Sequence, residues 1–184
     1  MLFHTAQVNY VHALMLHRDH TIMGIDPGYG ITGYGVIAVN GSNLKCLDYG
    51  VIRTLKGEDF SQRLKYLYKD LQTLIKKYNP DIVAVEELFF FKNVKTAIKV
   101  SHARGVILLT AIQAGKELVE FTPLQVKQAI SCYGRADKLQ VQKMVKVFLK
   151  LKELPKPDDA ADALAVAICA SSGLKLKTHV NRKM

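Results

Sequence analysis

Acidic side chains are the first shortage in this sequence: 16 Asp and Glu stand against 26 Lys and Arg over 184 residues, a formal charge of +10. So large a positive excess points to a polyanionic partner, nucleic acid before others. Cysteine is scarce as well. Cys46, Cys132 and Cys169 lie far apart and form no Cys-x-x-Cys pair, which argues against a zinc or redox centre and fits a reducing, cytoplasmic setting. Long apolar runs are missing: the longest, over residues 105–109 and 163–170, fall well short of the roughly 20 residues that a membrane-spanning helix needs. The first twenty residues hold no basic start followed by an unbroken apolar block, because His12 and His17 interrupt the run around residues 13–16, so no signal peptide is expected. Internal repeats and low-complexity linkers are also wanting. The length suffices for one substantial core but not for two full-sized domains.

What is present divides into three parts. Residues 1–21 carry four of the six histidines (His4, His12, His17, His20) at irregular spacing, a poor pattern for metal, and read as a disordered or loosely packed N-terminal extension. Residues 22–172 form the domain, and 173–184 a basic C-terminal tail. Strands are expected over 21–26, 33–39 and 44–53, separated by Gly-rich and Asn-Gly-Ser-Asn turns, as an antiparallel meander. Leu64, Leu67, Leu71, Leu74 and Ile75 fall on one face of a helix over 61–78. Asn79-Pro80 ends it, and the β-branched run over 81–86 has the character of a buried central strand. A helix over 93–114, a strand over 118–121 and helices near 123–131 and 137–151 follow. Pro155 and Pro157 then break the chain before an Ala-rich helix over about 158–171. The fold class is α/β: a mixed five-stranded sheet, three antiparallel strands and then parallel additions, flanked by helices.

The acids that exist are placed tellingly. Asp26 ends an apolar strand and is followed by the turn Pro27-Gly28-Tyr29-Gly30; Glu86 emerges from Ile82-Val83-Ala84-Val85. Adjacent parallel strands would bring the two together. In Asp158-Asp159-Ala-Ala-Asp162, Asp162 shares a helical face with either preceding aspartate. Singly, each acid has a plain structural reading: Asp26 as a turn residue, Glu86 as a lysine's partner, Asp158 as a helix cap. Together, three or four carboxylates cannot all stay ionised without positive charge among them. An all-oxygen set suits Mg²⁺ or Mn²⁺, and two such ions about 3.5 to 4 Å apart could drive phosphodiester hydrolysis by water. Beyond the strand over 81–86, Phe89-Phe90-Phe91 is too apolar for an ordinary exposed loop. A protruding ring there would suit an unstacked base, with core packing expected for at least one of the three.

Residues 23–37 (Met-Gly-Ile-Asp-Pro-Gly-Tyr-Gly-Ile-Thr-Gly-Tyr-Gly-Val-Ile), 85–93 (Val-Glu-Glu-Leu-Phe-Phe-Phe-Lys-Asn), 103–106 (Ala-Arg-Gly-Val), 125–128 (Gln-Val-Lys-Gln) and 159–165 (Asp-Ala-Ala-Asp-Ala-Leu-Ala) together resemble the bacterial RuvC family of Holliday-junction resolvases, from about residue 22 to 172. The resemblance implies a ribonuclease-H-like fold and an Mg²⁺-dependent endonuclease, with Mn²⁺ able to substitute, that resolves four-way DNA junctions by paired symmetric nicks in recombination and repair. It implies Asp26, Glu86, Asp159 and Asp162 as catalytic, metal-holding acids, Asp159 taking precedence over Asp158. Lys127 and Lys138 match basic residues near the active centre, Phe89 matches an aromatic that stacks on a base, and Lys92 beside it joins the DNA-binding set. A homodimer is implied, as is partnership with the branch-migration proteins RuvA and RuvB. Two departures stand out: Glu87 replaces a common glutamine, adding charge near the metals, and the leading extension puts Met23 close to where family members begin.

Two other functions compete. An actin-like ATPase or sugar kinase begins with a similar strand and Gly turn, but closes two lobes over its nucleotide, and this chain has residues for one. An inert DNA-binding module would use the basic surface and Phe89 alone. Acids near a phosphate-binding face speak against it, because they repel DNA unless metal offsets them.

Overall fold

The computed structural model describes residues 20–88, 94–131 and 137–180. Five strands form one sheet: β1 (His20–Asp26), β2 (Ile31–Asn40), β3 (Asn43–Arg53), β4 (Ile82–Glu86) and β5 (Glu117–Phe121). Their order is β3-β2-β1-β4-β5. β1, β2 and β3 pair antiparallel in a meander, and β4 and β5 add in parallel beyond β1. The mixed sheet is the one expected. Helices α1 (Phe60–Tyr78) and α2 (Val94–Gln113) cover one face, while α3 (Pro123–Ser131), α4 (Lys138–Phe148) and α5 (Asp158–Val180) cover the other.

The alternation of the central strands sorts their side chains between the two layers. Met23, Ile25, Val83 and Val85 pack with Leu67, Leu71, Ile75, Ala103 and Ile107 under α1 and α2. Ile22, Ile82 and Ala84 face α3, α4 and α5. Because both faces are covered, β1 and β4 are apolar at successive positions, as two-sided burial requires. The apolar stripe of α1 is the one read from the leucine spacing. Asn79, in the left-handed conformation at φ 43°, donates its N–H to Ile75 O and closes that helix before Pro80.

Helix α5 is buried on nearly every side: from 160 to 171 each residue except Asp162 is buried, the mark of a helix enclosed within a domain. Its closeness to the sheet depends on glycine. A Cβ on Gly24 would lie 2.1 Å from Ala163 O, one on Gly33 1.9 Å from Asp159 O, and one on Gly35 2.7 Å from the Leu164 side chain. β1 and β2 thus present a bare patch on which the helix backbone rests.

Most boundaries shift by one to three residues, and two shifts reach into the expected extension and tail. β1 begins at His20, inside the expected extension, because His20 pairs with Val39 and the Thr21 N–H donates to Asp81 Oδ2 at 2.8 Å. Helix α5 runs on to Val180, through residues 173–180 expected as tail; the lone Gly173 costs about 1 kcal/mol and no proline follows to stop the helix. Residues 1–19, 89–93, 132–136 and 181–184 lie outside the described residues.

Gly24→Ala is expected to destabilise the protein by about 3 kcal/mol or more, the upper range for overpacking, since backbone rather than a side-chain tip must give way. Gly173→Ala, where an added Cβ meets nothing within 4 Å, should instead stabilise by about 0.5–1 kcal/mol. Denaturant melts of both test the contrast; equal effects would remove the glycine patch as the reason for the close approach.

Candidate active site

Gly24 pairs with Ala84 and Ile25 with Val85 across the parallel β1/β4 ladder, so one residue further on Asp26 and Glu86 stand side by side at the strands' carboxyl ends. By alternation both share the face of Gly24 and Ala84, toward α5. The first turn of α5 lies over them, Asp159 by its carbonyl contact with Gly33, and Asp162 is the one position of that buried stretch left partly open.

The charges of the other three acids all reach Asp26. Burial first, then the charges of Glu86, Asp162 and Asp159, push the Asp26 carboxyl up to about 8, with Lys138 opposing. Burial and then Asp162 push Glu86 up to about 7 against Lys127 and Lys138. Asp162 is raised by burial and, less, by Asp158 and Asp159, with Lys138 again opposing. Neither Asp26 nor Glu86 has a hydrogen-bond or ion-pair partner among the described residues.

Lys138 sits at the start of α4, behind a capping box in which Asp137 Oδ1 accepts from Gln140 N at 2.8 Å and Gln140 Oε1 accepts from Asp137 N at 3.0 Å. The fixed helix start delivers Lys138 Nζ to 3.3 Å from Asp162 Oδ2 and 3.4 Å from Asp158 Oδ2. Lys127, on α3, acts on Glu86 through its charge.

The same geometry sets Asp158 apart from Asp159, which the sequence left equivalent. Gln142 Nε2 donates to Asp158 Oδ1 at 2.8 Å, and this bond and then Lys138 hold the exposed Asp158 carboxyl below the usual range. Asp158 therefore ties α4 to α5, whereas the charge of Asp159 is felt at Asp26. Gln142 was missed by the sequence reading; a buried glutamine between Val141 and Val145 on an apolar helix face was the available sign. Glu87 donates its N–H to Phe121 O at 2.8 Å, extending the β4/β5 ladder. Phe89 and Lys92 lie outside the described residues.

As they stand, no three acidic, histidine or cysteine side chains among the described residues close around one point in the manner of a bound ion. The donor chemistry nevertheless fits a hard cation: unpartnered oxygens on half-buried carboxylates, crowded until protons are retained, with a lysine ammonium already set against Asp162.

A five-stranded mixed sheet with acids at the ends of its two central strands, and more on a helix laid across them, is the ribonuclease-H-like arrangement of a nuclease. The family model described as "Crossover junction endodeoxyribonuclease RuvC" matches residues 22–170, and the chain belongs to that family. RuvC crossover junction endodeoxyribonucleases from Caldicellulosiruptor saccharolyticus and Ruminiclostridium cellulolyticum are 59% and 57% identical to it, over 80% of this chain and 90% and 89% of theirs. Among solved structures, Thermus thermophilus RuvC in complex with Holliday junction substrate superposes with a TM-score of 0.82 at 36% identity, covering 86% of this chain and 97% of that one. The chain is accordingly a Holliday-junction resolvase, a nuclease of DNA recombination and repair. No helix among the described residues is long and apolar enough to cross a membrane.

The raised acids carry a pH signature. Asp26 and Glu86 ordinarily titrate at 3.8 and 4.5, but in the fold at about 8 and about 7. Between those values the folded state holds more protons than the unfolded, so stability present in acid is lost as pH rises toward 8. In EDTA, Asp26→Asn should melt above the native protein at pH 8, and the gap should close toward pH 4. Parallel melting curves for the two across that range would show that burial of Asp26 is not the strain described.

Proposed function

We propose that the chain resolves four-way DNA junctions by paired, symmetrically placed nicks in the cytoplasm, as a homodimer, with two Mg²⁺ ions per site for which Mn²⁺ can substitute. Asp26, Glu86, Asp159 and Asp162 would hold the ions. The observation that carries this is the pair of half-buried carboxylates on adjacent parallel strands, both raised by loss of water and by the charge of Asp162, beneath a helix that adds two more acids. When bound, the ions supply activation of water and stabilisation of the leaving oxygen.

The chain's own residues do the rest. Lys138 and Lys127 offset the acids and offer positive charge to an approaching phosphate, so that DNA is not repelled from the centre. Asp158 and Gln142 position Lys138 and the first turn of α5. Phe89 stacks on a base at the junction point and Lys92 contacts DNA, both carried over from the family resemblance, which also extends the proposal to RuvA and RuvB as partners.

A two-fold substrate calls for two active sites related by a two-fold axis. On α2, Ile98, Leu109 and Ile112 are each more than half exposed, and with Gly105 they recur at helical spacing on one side. An uncovered apolar stripe on a helix whose other side is core marks a contact surface, and a second copy of this chain meets the need.

With a synthetic four-way junction, Asp26→Asn, Glu86→Gln, Asp159→Asn and Asp162→Asn should each reduce cleavage to background and leave junction binding, as should EDTA in the native protein. Asp158→Asn should keep much of its activity. A fully active variant among the four would remove that residue from the site, and equal loss at Asp158 and Asp159 would overturn their assignment. Leu109→Glu should weaken self-association by about tenfold or more in sedimentation equilibrium while the melting temperature of the domain changes little; an unaltered association constant would place the dimer contact elsewhere.

A further inference from the structure

On the opposite face of the sheet from the acids, the turn that follows Asp26 gathers a second set of charges. Tyr29, three residues past Asp26, packs against the core layer of α1 and α2, and its ring draws in two cations. The Arg63 guanidinium lies 4.9 Å from the ring centroid and Lys99 Nζ 5.7 Å. Lys99 Nζ is also 6.0 Å from the Phe60 ring, and Phe60 stands edge-on to Tyr29 and to His102. Arg63 is held from two sides: Nε donates to Thr54 Oγ1 at 2.9 Å and Nη2 to Tyr29 O at 3.1 Å, while Thr54 Oγ1 donates to the same carbonyl at 2.8 Å. The remaining N–H groups of the guanidinium have no hydrogen-bond partner among the described residues.

Several other cations meet an acid: Lys77 Nζ lies 3.8 Å from Asp48, Arg104 pairs with Glu120, and Lys138 stands between two aspartates. Arg63 and Lys99 form no ion pair among the described residues. They are held by rings, a carbonyl and a hydroxyl, which orient positive charge without neutralising it. Two like charges gathered at one ring repel each other, and an anion between them would reverse the sign of that interaction.

We infer that Lys99 and Arg63 bind a backbone phosphate of the DNA substrate, a few nucleotides from the bond that is cut and across the sheet edge from the four acids. Its location relative to the cut bond rests on the proposed role of those acids. Three residues of chain reach roughly 10 Å, and the phosphates of one strand follow at about 3.4 Å along the helix axis, so Tyr29 lies within reach of the same strand. The contact is to phosphate rather than to a base, because a base could stack only by displacing the cations that the rings already hold.

Junction binding followed by fluorescence anisotropy in EDTA, over a range of salt, tests this without metal. Lys99→Gln should weaken binding about three- to tenfold at moderate salt and lower the slope of log Kd against log salt by about 0.9, the share of one phosphate. Lys99→Arg should retain most of the affinity, and Lys65→Gln, an exposed lysine elsewhere on α1, should leave the slope unchanged. An unchanged affinity and slope for Lys99→Gln overturns the proposal. So does a loss that Lys99→Arg fails to restore and that comes with a lower melting temperature, which would make Lys99 a packing residue. Binding in EDTA is independent of cleavage, so a native protein that binds but does not cut with Mg²⁺ would count against the role given to the acids and leave the Lys99 result standing.

Discussion

The closeness of α5 to the sheet is the constraint on which the rest of the molecule depends. Gly24, Gly33 and Gly35 leave no side chain between β1, β2 and the helix backbone, with potential Cβ positions 1.9 to 2.7 Å from helix atoms. Ordinary side chains there would hold the helix off by the thickness of a packed layer. The same approach sets the first turn of α5 over the carboxyl ends of β1 and β4, where Asp26 and Glu86 emerge. Core packing and the composition of the site are therefore one requirement, and a change at one of these uncharged glycines acts on both.

That requirement has an electrostatic consequence. Carboxylates brought together under a buried helix lose water before they gain a partner, and the fold accommodates them by raising Asp26 to about 8 and Glu86 to about 7. Nearby cations relieve this only in part. Lys138 is engaged by Asp158 and Asp162, and reaches them because a capping box fixes the start of α4 and Gln142 ties α4 to α5. The arrangement is unfavourable for the ion-free fold, and a site that stores such strain is suited to cations it must attract.

The carboxyl edge of the sheet thus has two electrical characters. Acids and the lysines that answer them lie on the α5 side, while on the α1 and α2 side Arg63 and Lys99 are held by neutral groups alone. DNA crossing that edge would meet a centre for chemistry and, separately, a point of attachment. A division of this kind lets backbone contacts position the substrate without joining in the reaction.

The strands and helices were legible because their signals are local: β-branched runs for β1 and β4, leucines at helical spacing for α1, and Asn79-Pro80 as a stop. Asp26 and Glu86 were legible because an acid that ends a buried apolar run stands out wherever the strand is placed. The choice between Asp158 and Asp159 was not, since both occupy the same turn, and what separates them is Gln142 and Lys138 on another helix. Arg63 and Lys99 stand on two different helices, and only folding brought them, 34 and 70 positions along the chain, to Tyr29. The sequence by itself determined which segments form the sheet and which acids emerge from it, because propensity and periodicity act between near neighbours. Only the tertiary structure decided which charges are answered and which are left free, because that depends on contacts between segments whose spacing no local pattern encodes.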